Sequence, residues 1–103
     1  MPILTKNCPT MPYKIIYKTK FLKDLKRLKK QGKNLAKLEK IIEIIANDKP
    51  LPPKNRDHAL IGNWKDHRDC HIEPDWVLIY KKEQDVLILE LTRTGSHADL
   101  LDL

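Results

Sequence analysis

The sequence predicts an α+β fold, an antiparallel sheet covered on one face by a hairpin of two helices. Three observations carry that prediction. Residues 19–47 hold two successive segments whose apolar residues recur at helical spacing. Residues 67–93 hold three strand-like runs of six to eight residues separated by short turns. A β-branched and aromatic stretch, residues 13–18, precedes the first helix.

Residues 1–12 contain Pro2, Pro9 and Pro12 and no periodicity, so a disordered or extended leader is expected there, followed by a single domain over 13–103. Tyr13, Ile15, Ile16 and Tyr17 make the first strand. Thr19 is placed to cap a helix with Phe21, Leu22, Leu25 and Leu28 on one side. Its other side carries Lys20, Lys23, Lys26, Arg27, Lys29 and Lys30, and Gln31-Gly32 ends it. Asn34 caps a second helix along Leu35, Leu38, Ile41, Ile42 and Ile45, which stops near Asn47, before Pro50. Pro50-Leu51-Pro52-Pro53 makes a stiff connector, and Gly62 marks a further turn. Strands are expected at 67–72, 76–81 and 86–93, with turns at Pro74-Asp75 and at residues 82–85. Thr94-Gly95-Ser96 should break the last strand, and residues 97–101 should form a short C-terminal helical turn. The order is β-α-α-β-β-β.

At 103 residues, 41% hydrophobic and 33% charged, the chain suits one modest core. No apolar run approaches a bilayer's thickness and no secretory h-region opens the chain, so no membrane role and a cytoplasmic location are expected. Cys8 and Cys70 make no disulfide framework; Cys70, inside an alternating segment, reads as a small core residue. The net charge of +6 is unevenly spread. Residues 1–55 carry 14 Lys/Arg against 4 Asp/Glu, and residues 56–103 carry 6 against 10. One strongly basic face therefore suits a polyanionic partner, whereas the acids of the second half are used locally.

Residues 56–76 hold three of the four histidines, His58, His67 and His71, and the fourth is His97. Strand alternation puts His67, Asp69 and His71 on one face, left open to solvent, and Arg68, Cys70 and Ile72 on the helix-covered face. Two imidazoles beside one phosphodiester suffice for RNA cleavage without a metal. One takes the 2′-OH proton and the other protonates the leaving 5′-oxygen, tasks suited to a group titrating near neutrality. Asp69 or Asp75 can orient an imidazole, and Arg93, Arg68 or Lys65 can stabilise charge on the phosphate. Taken singly, each histidine has an ordinary reading as polar surface, and His67 is the expected bystander. A two-histidine, one-carboxylate metal set (His67, Asp69, His71) competes, without the spacing of a known zinc or iron motif. Trp64 and Trp76, beside apolar strands, read as core. No Gly-rich phosphate loop, nucleophile elbow or C-x-x-C pair is present.

The run Asp57-His58, Arg68-Asp69-Cys70-His71, Glu73-Pro74-Asp75-Trp76 and, further on, Arg93-Thr94-Gly95-Ser96-His97 resembles the YafQ branch of the RelE/ParE toxin superfamily. The close likeness covers residues 57–101, and the spacing of the four motifs together is what makes it specific. The resemblance implies a RelE-like fold and the toxin half of a bacterial type II toxin–antitoxin pair. It implies a ribosome-dependent mRNA endonuclease needing no metal or other cofactor. Its functional positions fall on His58, Asp69, His71, Asp75 and His97, with Arg93 suited to phosphate contact. Arg68, Lys65 and the basic helix face, Lys23, Lys26, Arg27 and Lys30, would then contact RNA. The expected partners are a cognate antitoxin, the ribosome and mRNA. Leu101 departs from the pattern, which commonly has phenylalanine there, so base stacking at that position is not expected. The alternatives are a ParE-like toxin that binds a protein target without cutting RNA, and a metal-dependent hydrolase.

Overall fold

The apolar stripes of the two helical segments need a shared surface, and a five-stranded sheet supplies it. A computed structural model describes residues 12–96 and Leu100. Strand β1 (Lys14–Tyr17) leads into helices α1 (Thr19–Lys30) and α2 (Leu35–Ala46). A 3-10 turn (Pro53–Asn55), a two-residue strand β2 (His58–Ala59) and a second 3-10 turn (Gly62–Trp64) follow. Strands β3 (Arg68–Glu73), β4 (Trp76–Glu83) and β5 (Ile88–Gly95) complete the described chain. The sheet order is β1-β5-β4-β3-β2. The β3–β4–β5 meander is antiparallel as expected, whereas β1 pairs parallel to β5 and makes the sheet mixed.

Asn34 caps α2 as its residue type predicts, its side-chain oxygen accepting from the Ala36 amide at 3.1 Å. Thr19 does not cap α1; it is the first helical residue, and Lys18 occupies the cap position without a side-chain bond. The Lys18 amide donates to the Leu91 carbonyl at 3.1 Å, so the sheet fixes the helix entry in place of a cap. Gly32, at φ +76°, ends α1 in the left-handed conformation that glycine adopts without penalty.

Phe21, Leu25 and Leu28 of α1 and Leu38, Ile41, Ile42 and Ile45 of α2 pack on Cys70, Trp76, Leu78, Tyr80, Leu89 and Leu91. Both tryptophans are in apolar surroundings: Trp76 in this core, Trp64 in a smaller cluster on the opposite face with Val77, Ile79, Leu60 and Leu100. That second cluster corrects the expectation of a face left open, because the connector before β3 folds back over it. The β4–β5 turn lies at residues 84–87, not 82–85. Lys82 and Glu83 stay in the ladder opposite Leu89 and Ile88, and the Lys82 ammonium, 2.6 Å from Asp48, sits over the Tyr13 ring. β5 likewise runs through Gly95 instead of breaking at Thr94. The leader, apart from Pro12, and most of the expected C-terminal turn lie outside the described residues. Leu100 donates its amide to the Ser96 carbonyl at 3.1 Å.

β1 covers only Ile88–Leu91 of β5, so the outer edge of β5 beyond Leu91 needs another partner. Asp24, 2% exposed, provides it from α1. Its carboxylate accepts from the Thr94 amide at 3.1 Å and from Arg93 Nε and Nη2 at 2.7 and 3.1 Å, with Arg27 Nη2 at 3.2 Å. A bulge at Thr92 makes this geometry possible: Ile79 pairs with Arg93 but Tyr80 with Leu91. The Thr94 hydroxyl continues the network, accepting from Trp76 Nε1 at 2.9 Å and donating to the Val77 carbonyl at 3.0 Å. Removing one member of a buried charge pair leaves the other desolvated and unpaired. Asp24→Ala is therefore expected to lower unfolding free energy by about 3–5 kcal/mol in urea titration, and Asp24→Asn by less.

Candidate active site

The β2–β3 and β3–β4 registers assemble the titratable groups. His58 pairs with Asp69, Asp69 with Ile79 and His71 with Val77. Directly opposed residues share a face, so His58, Asp69 and His71 stand together beside Val77 and Ile79. Asp69 is 1% exposed at its side chain, His71 15% and His58 52%. One carboxylate oxygen, Asp69 Oδ1, lies 3.8 Å from His58 Nδ1 and 4.0 Å from His71 Nε2. A buried carboxylate thus sits between two imidazoles of graded exposure.

Each histidine is held by the 3-10 turn before β2. Arg56 adopts a left-handed conformation at φ +47°, which costs a residue bearing a Cβ about 1–2 kcal/mol. That turn brings its carbonyl 2.7 Å from His58 Nδ1. A carbonyl oxygen only accepts, so Nδ1 carries the hydrogen and the neutral ring keeps its lone pair on Nε2. Asn55, buried, donates from Nδ2 to the His71 carbonyl at 2.7 Å. β2 pairs only as far as Asp69, and Asn55 takes over the edge of β3 beyond it.

The other sequence-predicted residues divide. Across β4, Arg93 and Gly95 pair with Ile79 and Val77 and lie on the same face, with Arg93 drawn to Asp24. His97 lies outside the described residues, between Ser96 and a Leu100 that packs on Val77 and Ile79. Asp75 is exposed on the β3–β4 turn and makes no hydrogen bond or ion pair with Asp69 or the histidines among the described residues. Arg68 faces the helix-covered side, where Nε donates to Asp57 at 3.1 Å beside the Tyr80 hydroxyl, which donates to the same oxygen at 2.7 Å. Arg27 pairs with Asp24; Lys23, Lys26 and Lys30 are exposed along α1, and Lys65 is exposed in the connector. The His67 ring bonds through Nδ1 to the Lys65 carbonyl at 3.1 Å and stands edge-on to Trp64. No group of three metal-ligating side chains forms among the described residues.

Sequence reasoning missed Asp24 and Asn55. Asp24 had a readable signal: it is the lone acid of α1 and falls three residues after Phe21, inside the apolar stripe. Asn55, between prolines and a charged run, offered none.

Comparison with known proteins bears on this geometry. The family described as "Bacterial toxin of type II toxin-antitoxin system, YafQ" matches residues 13–102. The chain belongs to that family. The mRNA interferase toxin YafQ of Escherichia coli K12 is 44% identical over 87 residues, covering 84% of this chain and 92% of the relative. The crystal structure of YafQ from E. coli BL21(DE3) superposes with a TM-score of 0.81 at 40% identity, covering 85% and 97% of the two chains. A toxin chain in the E. coli DinJ–YafQ toxin–antitoxin complex gives 0.80 at 41% identity, covering 86% and 97%. In this YafQ-family chain Cys70 is not a nucleophile in waiting. Burial pushes its thiol far above the ordinary range, with the charges of Asp57 and Asp69 adding to the shift. With Cys8 replaced by serine, a thiol reagent at pH 8 should label the folded protein at least about 10²-fold more slowly than the urea-unfolded chain.

Proposed function

We propose that this chain is an mRNA interferase: an endoribonuclease that cuts mRNA on the translating ribosome by metal-free acid–base chemistry. The observation that carries the reading is the buried Asp69 carboxylate between the His58 and His71 rings. The naming of its E. coli relative as an mRNA interferase toxin supports the activity.

In the reaction, one imidazole removes the ribose 2′-OH proton, and O2′ attacks the adjacent phosphorus. The P–O5′ bond breaks, and a second imidazole delivers a proton to O5′. The products are a cyclic or 3′-phosphate and a 5′-hydroxyl. His71 and His97 form the principal pair, and His58, whose Nδ1 is bonded to the Arg56 carbonyl, shares proton transfer. Asp69 fixes ring orientation from within the sheet, and Asp75 orients RNA from the exposed turn. Arg93, held by Asp24 on the same face of the sheet as His71, contributes positive charge that favours the phosphate. Lys23, Lys26 and Lys30, with Lys65, Arg68 and Arg27, supply the sequence-independent attraction to RNA. A cognate antitoxin with an acidic segment would silence the site in the cytoplasm, by analogy with the relative solved as a DinJ–YafQ complex.

Translation of a defined mRNA with purified protein, followed by mapping of new 5′ ends, tests the reading. His71→Ala and His97→Ala should each slow cleavage by about 10²–10⁴-fold, while His67→Ala stays near wild type. A chelator selective for transition metals, used with ribosomal Mg²⁺ kept in place, should leave the rate unchanged. Intact mRNA with the wild type, or equal cleavage by the His71 and His97 variants and the wild type, would overturn it. Neutralising Lys23, Lys26 and Lys30 together should flatten the salt dependence of RNA binding, by about 0.7 log unit per log unit of salt for each RNA phosphate that these lysines neutralise in the wild type.

A further inference from the structure

Two clefts that share Lys54, Asn55 and Ile72 form one groove leading away from His71. The first, about 420 Å³, is lined by Lys54, Asn55, Arg56, His71, Ile72 and Glu73 among others. The second, about 330 Å³, shares Lys54, Asn55 and Ile72 with it and continues to Lys37 and Lys40 of α2 over a floor that includes Ile41 and Ile44. The groove therefore begins at His71 and runs away from it past Asn55 and Ile72 toward α2. Each part has the volume of a site for a ligand of nucleotide size, about 300 Å³ or more.

We infer that this groove holds the single-stranded RNA flanking the scissile phosphate, with phosphates on Lys54, Arg56, Lys37 and Lys40 and a base or ribose on the Ile72 floor. The inference rests on the endoribonuclease reading, since His71 at the groove's end is what gives the strand a direction. Three features favour it. The rim is cationic and the floor apolar, the combination that recognises a strand through backbone charge and exposed base faces. The floor is tied to the site: Asn55 lies at the junction of the two clefts and donates to the His71 carbonyl at 2.7 Å. And the groove already contains an internal anion. Glu73 Oε2 lies 2.9 Å from Lys37 Nζ, and Oε1 lies 4.0 Å from Lys33 Nζ. The Lys37 hydrogen bond holds the Glu73 carboxyl below the usual range, so it stays charged and competes with an incoming phosphate for the same ammonium.

An acidic peptide would meet the same cations, but it has no use for an apolar floor that ends at a histidine. The two occupants separate in binding assays on the full-length protein. The RNA probe is a fluorescent single-stranded oligoribonucleotide whose 2′-oxygens are methylated, so it cannot be cleaved and its binding is read independently of activity. Lys54→Gln/Arg56→Gln should weaken its Kd by about fivefold or more at low salt, and the charge-matched pair Lys14→Gln/Lys49→Gln, outside the groove, by less than about twofold. Glu73→Gln, which removes the internal competitor, should tighten binding, an effect that a merely structural role would not produce. Equal weakening by the two charge-neutralised pairs, or unchanged or weaker binding with Glu73→Gln, would overturn the inference. So would retained RNA binding in Lys54→Gln/Arg56→Gln with loss of binding to polyglutamate, which assigns the groove to an acidic peptide. Intact mRNA in the ribosome assay would instead overturn the endoribonuclease reading, whatever the oligonucleotide shows.

Discussion

The Asp24 carboxylate is the contact on which the upper half of the sheet depends. A strand of four residues cannot cover one of eight, and β1 stops where β5 still has Thr92 to Gly95 to present. Asp24 closes that gap from inside a helix that otherwise bears six basic residues, taking the Thr94 amide in place of a neighbouring strand. Its charge would be costly to bury alone, and the Arg93 guanidinium, bidentate on it, makes burial tolerable. Through Thr94 and Trp76 the same network reaches the centre of the core. One side chain, seated by the bulge in β5, ties α1 to the end of β5 and sets the pose of Arg93.

The opposite edge repeats the arrangement with a neutral group. β2 is only two residues long, and past Asp69 the edge of β3 is met by the Asn55 amide instead of a strand. Short edge strands finished by buried side chains leave the ends of β3 and β5 unhidden by further strands, and those ends carry His71 and Arg93. On the proposed reading, this is how a small sheet exposes chemistry without exposing a long unpaired edge. The cost appears locally, in the left-handed Arg56 that turns its carbonyl onto His58.

Much of this was legible from residue order. The helix hairpin followed from Phe21, Leu25, Leu28 and the Leu38–Ile42–Ile45 stripe, because 3.6-residue periodicity survives any tertiary context. The shared face of Asp69 and His71, with Cys70 behind it, followed from the two-residue period of a strand. What alternation could not show was depth. Asp69 falls on the site face, yet Leu60 and Trp64 fold back onto Val77 and Ile79, and this side of the sheet is no open surface. The β2 strand escaped notice because two residues have no period, and Thr19 misled because the sheet, not a cap, sets the start of α1. Asp24 is masked by the strongly basic balance of residues 1–55, and its place in the apolar stripe is the informative fact.

On the proposed reading, Asp69, buried between His58 and His71, organises the RNA-cleaving site without being needed for the fold. Replacing it with asparagine keeps its size and removes its charge, and single-turnover cleavage of ribosome-bound mRNA by Asp69→Asn reads the consequence. The expected result is a cooperative unfolding transition like that of the wild type, together with cleavage slowed by about 10²-fold or more. Cleavage at the wild-type rate by a fully folded Asp69→Asn protein would contradict it.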